Sequence, residues 1–173
     1  FVAIADAVEL PLILYNVPGR TGVDMQTATV ARLAAHPGII GIKEATGDLD
    51  RLQPLREACG DDFLLFSGDD ATGCEFMLQG GQGVISVTSN VAPALMADMC
   101  EAALGGDRQR ATGLDERLAG LHQELFVESN PIPVKWALER LGLIPGGLRL
   151  PLTALGSACR PRVEAAMKRA GVL

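Results

Sequence analysis

No two cysteines stand close enough in the chain to suggest a shared metal. There are four, Cys59, Cys74, Cys100 and Cys159, none in CxxC spacing, and the only histidines, His36 and His122, are near none of them. That pattern argues against a zinc site or a disulfide framework and leaves reduced cytosolic thiols as the plain expectation. Aromatic residues are scarce at 4%, with one tyrosine and one tryptophan. No apolar run approaches the roughly 18 residues that a membrane span requires. Basic charge is not in excess either: 15 Lys and Arg face 21 Asp and Glu, a net charge of −6. Without a basic stripe to meet phosphate, nucleic acid and anionic membranes are poor partners. Phe1-Val2-Ala3-Ile4 is apolar, but Asp6 and Glu9 interrupt it and no basic region precedes it, so no secretory leader is expected. An initiator Met is missing as well, and the expectation is a chain that begins within something longer.

What is present suits a globular domain. The 173 residues are 48% hydrophobic and include 20 Gly and 10 Pro. A chain of this size can bury roughly 70% of its unfolded surface. Four short apolar runs recur: Pro11 to Tyr15, Ile39 to Lys43, Phe63 to Ser67 and Gly83 to Val87. Their starts are 28, 24 and 20 residues apart, enough for a strand and a crossover helix. The runs are continuous, as in parallel strands covered on both faces. Between them, helices are expected over Met25 to Ala35, Asp48 to Cys59 and Asp70 to Leu78, the last with a capping Asp at its start. Val91 to Leu104 follows the fourth run. Beyond Gly105-Gly106 the strand pattern stops, and Arg108 to Phe126, Pro131 to Leu141 and Gly156 to Ala170 read as helices. The division falls near Gly105: residues 1–104 as β/α units, residues 105–173 as a helical domain. Alternating β and α predicts a parallel sheet, either closed as a barrel or open and doubly wound.

In both architectures, functional groups gather beyond the carboxyl ends of the strands. Lys43 ends the second run. A lysine projecting there into an apolar interior is desolvated, which frees its amine to attack a carbonyl. The alternatives are pairing with Glu44 and snorkelling to solvent. Tyr15 holds the matching place one strand earlier, where its phenol could move protons to and from a carbinolamine. A core ring with its hydroxyl on a backbone carbonyl is the other reading. Arg20, in the loop just beyond, can fork onto a carboxylate or simply face solvent. Gly68 leaves the backbone bare at the third strand end, for a ligand or for a tight turn. Asp69 and Asp70 lack a third ligand nearby and read as cap and turn residues. Gly80-Gly81-Gln82-Gly83 precedes its strand and lacks the Lys-Ser/Thr of a P-loop. No serine or cysteine stands in a nucleophile-elbow setting.

These segments resemble the dihydrodipicolinate synthase family, among the pyruvate-dependent class I aldolases that include N-acetylneuraminate lyase. The resemblance rests on Tyr15-Asn16-Val17-Pro18-Gly19-Arg20-Thr21-Gly22, Gly41-Ile42-Lys43-Glu44-Ala45-Thr46-Gly47-Asp48, Ser67-Gly68-Asp69-Asp70 and Gly83-Val84-Ile85-Ser86-Val87-Thr88. Asn130 to Lys135 and Leu148 to Pro151 match as well. It implies a (β/α)8 barrel followed by a C-terminal helical domain, this chain carrying the last four β/α units. Lys43 is then the Schiff-base lysine for pyruvate and Tyr15 the proton-relaying tyrosine. Arg20 resembles the arginine holding the carboxylate of L-aspartate 4-semialdehyde, and the backbone at Gly68 and Ile85 lines the pyruvate pocket. The implied product is 4-hydroxy-tetrahydrodipicolinate, on the route to lysine and diaminopimelate, made by a cytoplasmic homo-oligomeric lyase (dimer or tetramer). No dissociable cofactor is implied, because the lysine imine is the electron sink. The first four β/α units, with the paired threonines of the proton relay and the tyrosine from a neighbouring subunit, have no counterpart here, so the chain alone is expected to be inactive. Two other readings stay open: a lyase for N-acetylneuraminate or keto-deoxy sugars, and a non-catalytic truncated module.

Overall fold

The computed structural model describes all of residues 1–173. It divides into two compact units, Phe1–Ile85 and Ser86–Leu173. The first runs α1 (Val2–Ala7), β1 (Leu12–Asn16), α2 (Pro18–Thr21), α3 (Thr27–Ala34), β2 (Ile39–Glu44), a 3₁₀ turn (Leu49–Arg51), α4 (Leu52–Cys59), β3 (Leu64–Ser67), α5 (Asp70–Leu78) and β4 (Gly83–Val84). The strands form one sheet in the order β1-β2-β3-β4, and every neighbouring pair is parallel. Each crossover carries a helix, as parallel pairing of consecutive strands requires.

Alternation along the strands sorts the two faces. Leu14, Ile42 and Leu65 are buried in one cluster with Val30 of α3, Leu52 and Leu55 of α4, and Phe76 of α5. Complete burial of a side chain such as Ile42 stabilises by on the order of 2 kcal/mol. Their sequence neighbours point the other way, and there Ile13 and Tyr15 are 43% and 46% exposed. The helices of this unit therefore cover one face of the sheet only. Continuous apolar runs predict cover on both faces, and within the first unit the second face is open.

Several boundaries shift for local reasons. The fourth strand, expected over Gly83 to Val87, keeps strand geometry only at Gly83–Val84. Ser86 Oγ accepts the Ser89 amide at 2.9 Å, and this turn diverts the chain into a 3₁₀ turn at Thr88–Asn90. The helix expected from Asp48 opens as the 3₁₀ turn and becomes α-helical at Leu52. Pro54 has no amide to donate and is tolerated only in a first turn, so the α-helix begins just ahead of it. The cap of α5 is Asp69, not Asp70: its carboxylate accepts the Thr72 amide at 3.0 Å and the Thr72 hydroxyl at 2.8 Å.

The second unit is helical: α6 (Pro93–Leu104), α7 (Arg108–Glu124), α8 (Ile132–Arg140) and α9 (Arg160–Ala170). The α7 helix packs on both α6 and α9. Buried Ala102, Ala103, Ala111 and Ala166 let the helices approach, while Met99, Leu118, Leu121 and Met167 fill the space between them. Asp107 caps α7 by accepting the Arg110 amide at 3.0 Å. The buried His122 ring is held by Thr88 Oγ1 at 2.9 Å and lies 3.3 Å from an Asp115 oxygen. The last helix begins at Arg160 rather than Gly156, because the Glu128 carboxylate accepts the Gly156 amide at 3.0 Å and holds that segment in a turn. No helix of the chain is long and apolar enough to cross a membrane.

Candidate active site

Tyr15 and Lys43 are each the penultimate residue of their strand, and they are Cα partners across the β1–β2 ladder. Equal parity puts both side chains on the open face. There the Lys43 ammonium lies over the Tyr15 ring, 4.3 Å from its centroid. That geometry is a cation–π contact, and it brings amine and phenol together at the carboxyl edge of the sheet. Lys43 is partly buried and Tyr15 is 46% exposed, so the dry interior expected from sequence is not formed by the first unit itself. Pairing of Lys43 with Glu44 does not occur. Adjacent strand residues point to opposite faces, and Glu44 is buried on the helix side.

Gly68 follows β3 directly, and its amide donates to the Glu44 carbonyl at 2.7 Å. This bond draws its α-carbon beneath the lysine. A Cβ at residue 68 would stand 2.9 Å from Lys43 Cε, 3.0 Å from Lys43 Cγ and 2.6 Å from Ala45 Cβ. The glycine is required by the close approach of Ala45 Cβ first and of the Lys43 stem second. Ile85 occupies the corresponding place after β4, its amide donating to the Ser67 carbonyl at 2.8 Å and its side chain exposed. Arg20 is exposed on α2, the short helix immediately beyond β1. The structure thus sets Lys43 between the Tyr15 ring and Gly68, with Ile85 and Arg20 at the same end of their strands.

A polar cluster that sequence reasoning missed backs this edge. Asn16 and Glu44, 2% and 3% exposed, follow Tyr15 and Lys43 and occupy the helix-covered face. Asn16 Nδ2 donates to Glu44 Oε2 at 3.0 Å and to Asp24 Oδ1 at 2.9 Å, and its Oδ1 accepts the Met25 amide at 3.0 Å. Arg51 Nε donates to Glu44 Oε2 at 3.0 Å, and Nη1 donates to Asp24 Oδ2 at 3.1 Å. The signal for this cluster was two polar residues closing otherwise apolar strands, since buried polar groups need partners.

The Asn16 amide, aided by the Arg51 charge against a burial cost, holds the Asp24 carboxyl below its usual range. A lowered folded pKa stabilises the fold above the unfolded value, near pH 4, and that contribution is lost as pH falls through the folded value. Asp24 is about one-third exposed, so the effect is expected below about 1 kcal/mol. Urea titrations should show Asp24→Asn less stable than wild type at neutral pH, with the gap closing below about pH 4. A gap that persists at pH 2 would mean that the carboxylate charge is not its source.

Consecutive parallel strands in the order β1-β2-β3-β4, with their helices on one face only, are the singly wound pattern of a barrel-type α/β protein. The chain belongs to the dihydrodipicolinate synthetase family, which it matches over residues 1–170. It is 62% identical over 173 residues to a 4-hydroxy-tetrahydrodipicolinate synthase of Methylococcus capsulatus, covering 100% of this chain and 60% of that protein. A Pseudomonas aeruginosa protein of the same name is 58% identical, with 100% and 59% covered. Among solved structures, a chloride-inhibited dihydrodipicolinate synthase from Acinetobacter baumannii complexed with pyruvate superposes with a TM-score of 0.96. That protein is 54% identical, and the match covers 99% of this chain and 59% of that one. The fold is part of a (β/α)8 barrel together with a helical part. The chain spans about 60% of the length of the relatives it matches.

Proposed function

We propose that this chain carries the Schiff-base half of a 4-hydroxy-tetrahydrodipicolinate synthase, a lyase that condenses pyruvate with L-aspartate 4-semialdehyde. The observation that carries the reading is the Lys43 ammonium 4.3 Å above the Tyr15 ring at the ends of two neighbouring parallel strands. In this reading the Lys43 amine, once deprotonated, adds to the keto carbon of pyruvate. The Tyr15 phenol protonates the departing hydroxyl, which leaves as water to give the imine. Removal of a proton from the pyruvate methyl group then gives the enamine that attacks the aldehyde. The imine itself is the electron sink, so no dissociable cofactor is called for. Gly68 and Ile85 offer backbone to the pyruvate carboxylate, and Arg20 takes the carboxylate of the semialdehyde. We place the assembly in the cytoplasm as a homo-oligomer, dimer or tetramer, with residues 1–104 as barrel and 105–173 as the helical domain.

In a polypeptide of family length, borohydride added with pyruvate should reduce the imine and fix a covalent adduct on Lys43, located by peptide mass spectrometry. A wild-type polypeptide of that length with no adduct at Lys43 would remove the mechanism. In a polypeptide of family length, Arg20→Ala should cripple condensation with the semialdehyde far more than imine formation with pyruvate. Equal losses in both would argue against its role. Gly68→Ala forces a Cβ against Lys43 Cε at 2.9 Å and Ala45 Cβ at 2.6 Å. If the lysine yields by about 1 Å to relieve this crowding, trapping should slow about 10²-fold. Trapping at the wild-type rate would show that the lysine gives way without consequence.

A further inference from the structure

We propose that Arg51 is a positioning residue for the Tyr15–Lys43 pair, acting from the opposite face of the sheet through Asn16 and Glu44. The inference rests on the Schiff-base reading above. Tyr15 pairs with Lys43 across the β1–β2 ladder, and the next pair, Asn16 with Glu44, is its back side. On the open face the two functional side chains meet through a single ring contact. On the covered face Asn16 Nδ2 donates to Glu44 Oε2 at 3.0 Å, and in the plane of the sheet the Ala45 amide donates to the Asn16 carbonyl at 2.9 Å. Spacing and pitch of the reactive pair are therefore set from behind.

Arg51 ties this back side to the rest of the unit. Its guanidinium spends Nε on Glu44 at 3.0 Å, Nη1 on Asp24 at 3.1 Å and Nη2 on the Met25 carbonyl at 2.7 Å. Three donors in one rigid plane thus join the end of β2 to the segment that leaves β1. Glu44 Oε1 in turn accepts the Thr46 amide at 2.8 Å, fixing the turn directly after Lys43. A lysine at residue 51 would keep the charge but has a point cation in place of the fork, so it cannot hold all three acceptors in that geometry. Fold maintenance alone would need only a neutralised Glu44. The fork adds a fixed angle between two strand ends.

The test uses a polypeptide of family length that contains these residues, selectively labelled at tyrosine, with the Tyr15 ring signal assigned by its loss in Tyr15→Phe. Arg51→Lys should keep a cooperative melt by circular dichroism, yet move the Tyr15 ring resonance and slow borohydride trapping of pyruvate. The Glu44→Gln/Arg51→Met double variant removes the buried Glu44 charge together with the partly buried cation that faces it, so Glu44 is not left as a stranded carboxylate. It should move the same resonance further, with trapping slowed about 10²-fold, the usual consequence of misplacing a reacting group by about 1 Å. Asp24→Asn, at the exposed rim, should move the resonance least. Folded variants with an unmoved ring signal and wild-type trapping would overturn the proposal and leave a purely structural cluster. A wild-type chain that traps no pyruvate, with the ring signal still tracking the Arg51 series, would instead overturn the Schiff-base reading and leave the positioning geometry standing.

Discussion

Lys43→Arg will keep the fold and abolish the borohydride-trapped pyruvate adduct at that position. Arginine preserves the positive charge that lies over the Tyr15 ring, 4.3 Å from its centroid in the wild-type chain. It does not preserve the nucleophile, because a guanidinium stays protonated throughout the accessible pH range and has no free amine to offer a ketone. The substitution therefore separates an electrostatic role for Lys43 from a covalent one. Stability should move by no more than about 0.5 kcal/mol, since the side chain is partly solvent-facing and outside the apolar cluster.

Peptide mapping makes the outcome unambiguous, because the chain has only two other lysines, Lys135 and Lys168. Lys168 is engaged by the Glu164 carboxylate at 2.8 Å on an exposed helix face and has no phenol beside it. Any adduct there reports adventitious chemistry and should persist at the same low level in Lys43→Arg. Survival of the full wild-type adduct yield in the Lys43→Arg chain would relocate the reaction and undo the site.

Much of this was legible because the chemistry-bearing residues sit where strands end. Continuous apolar runs located β1, β2 and β3, and penultimate Tyr15 and Lys43 share parity, so their convergence followed from the period of two. Strand-like composition runs from Gly83 to Val87, but the bond from the Ser89 amide to Ser86 Oγ turns the chain and ends the strand at Val84. Composition does not tell Asp69 from Asp70 as the cap of α5, because the two are chemically equivalent until the helix axis is known. The network behind the site was invisible for a different reason. Its members come from residues 16, 24, 44 and 51, with no period relating them, and Arg51 reads from sequence as one more polar position on a helix. The openness of the Tyr15 face also escaped composition, which reports how apolar a strand is but not how many layers cover it.

Tyr15→Phe isolates the proton transfers from everything else the residue does. Phenylalanine keeps the ring, its place opposite Lys43 in the ladder and the ammonium–ring contact. Only the hydroxyl is lost. Imine formation still has solvent to protonate the departing hydroxyl, so the final adduct yield should change little. Steps that need a positioned acid or base should slow by about 10²–10⁴-fold. The step to watch is removal of a methyl proton from the bound imine, because it precedes any second substrate. In D₂O it appears as loss of the pyruvate methyl proton signal. The expected result is exchange slowed far more than adduct yield, with an unchanged melting curve. Exchange at the wild-type rate would place the relay on another group and leave Tyr15 as a platform for the lysine. A parallel collapse of adduct and exchange would mean that the hydroxyl is needed to build the site before any proton moves, and the relay role would fall with it.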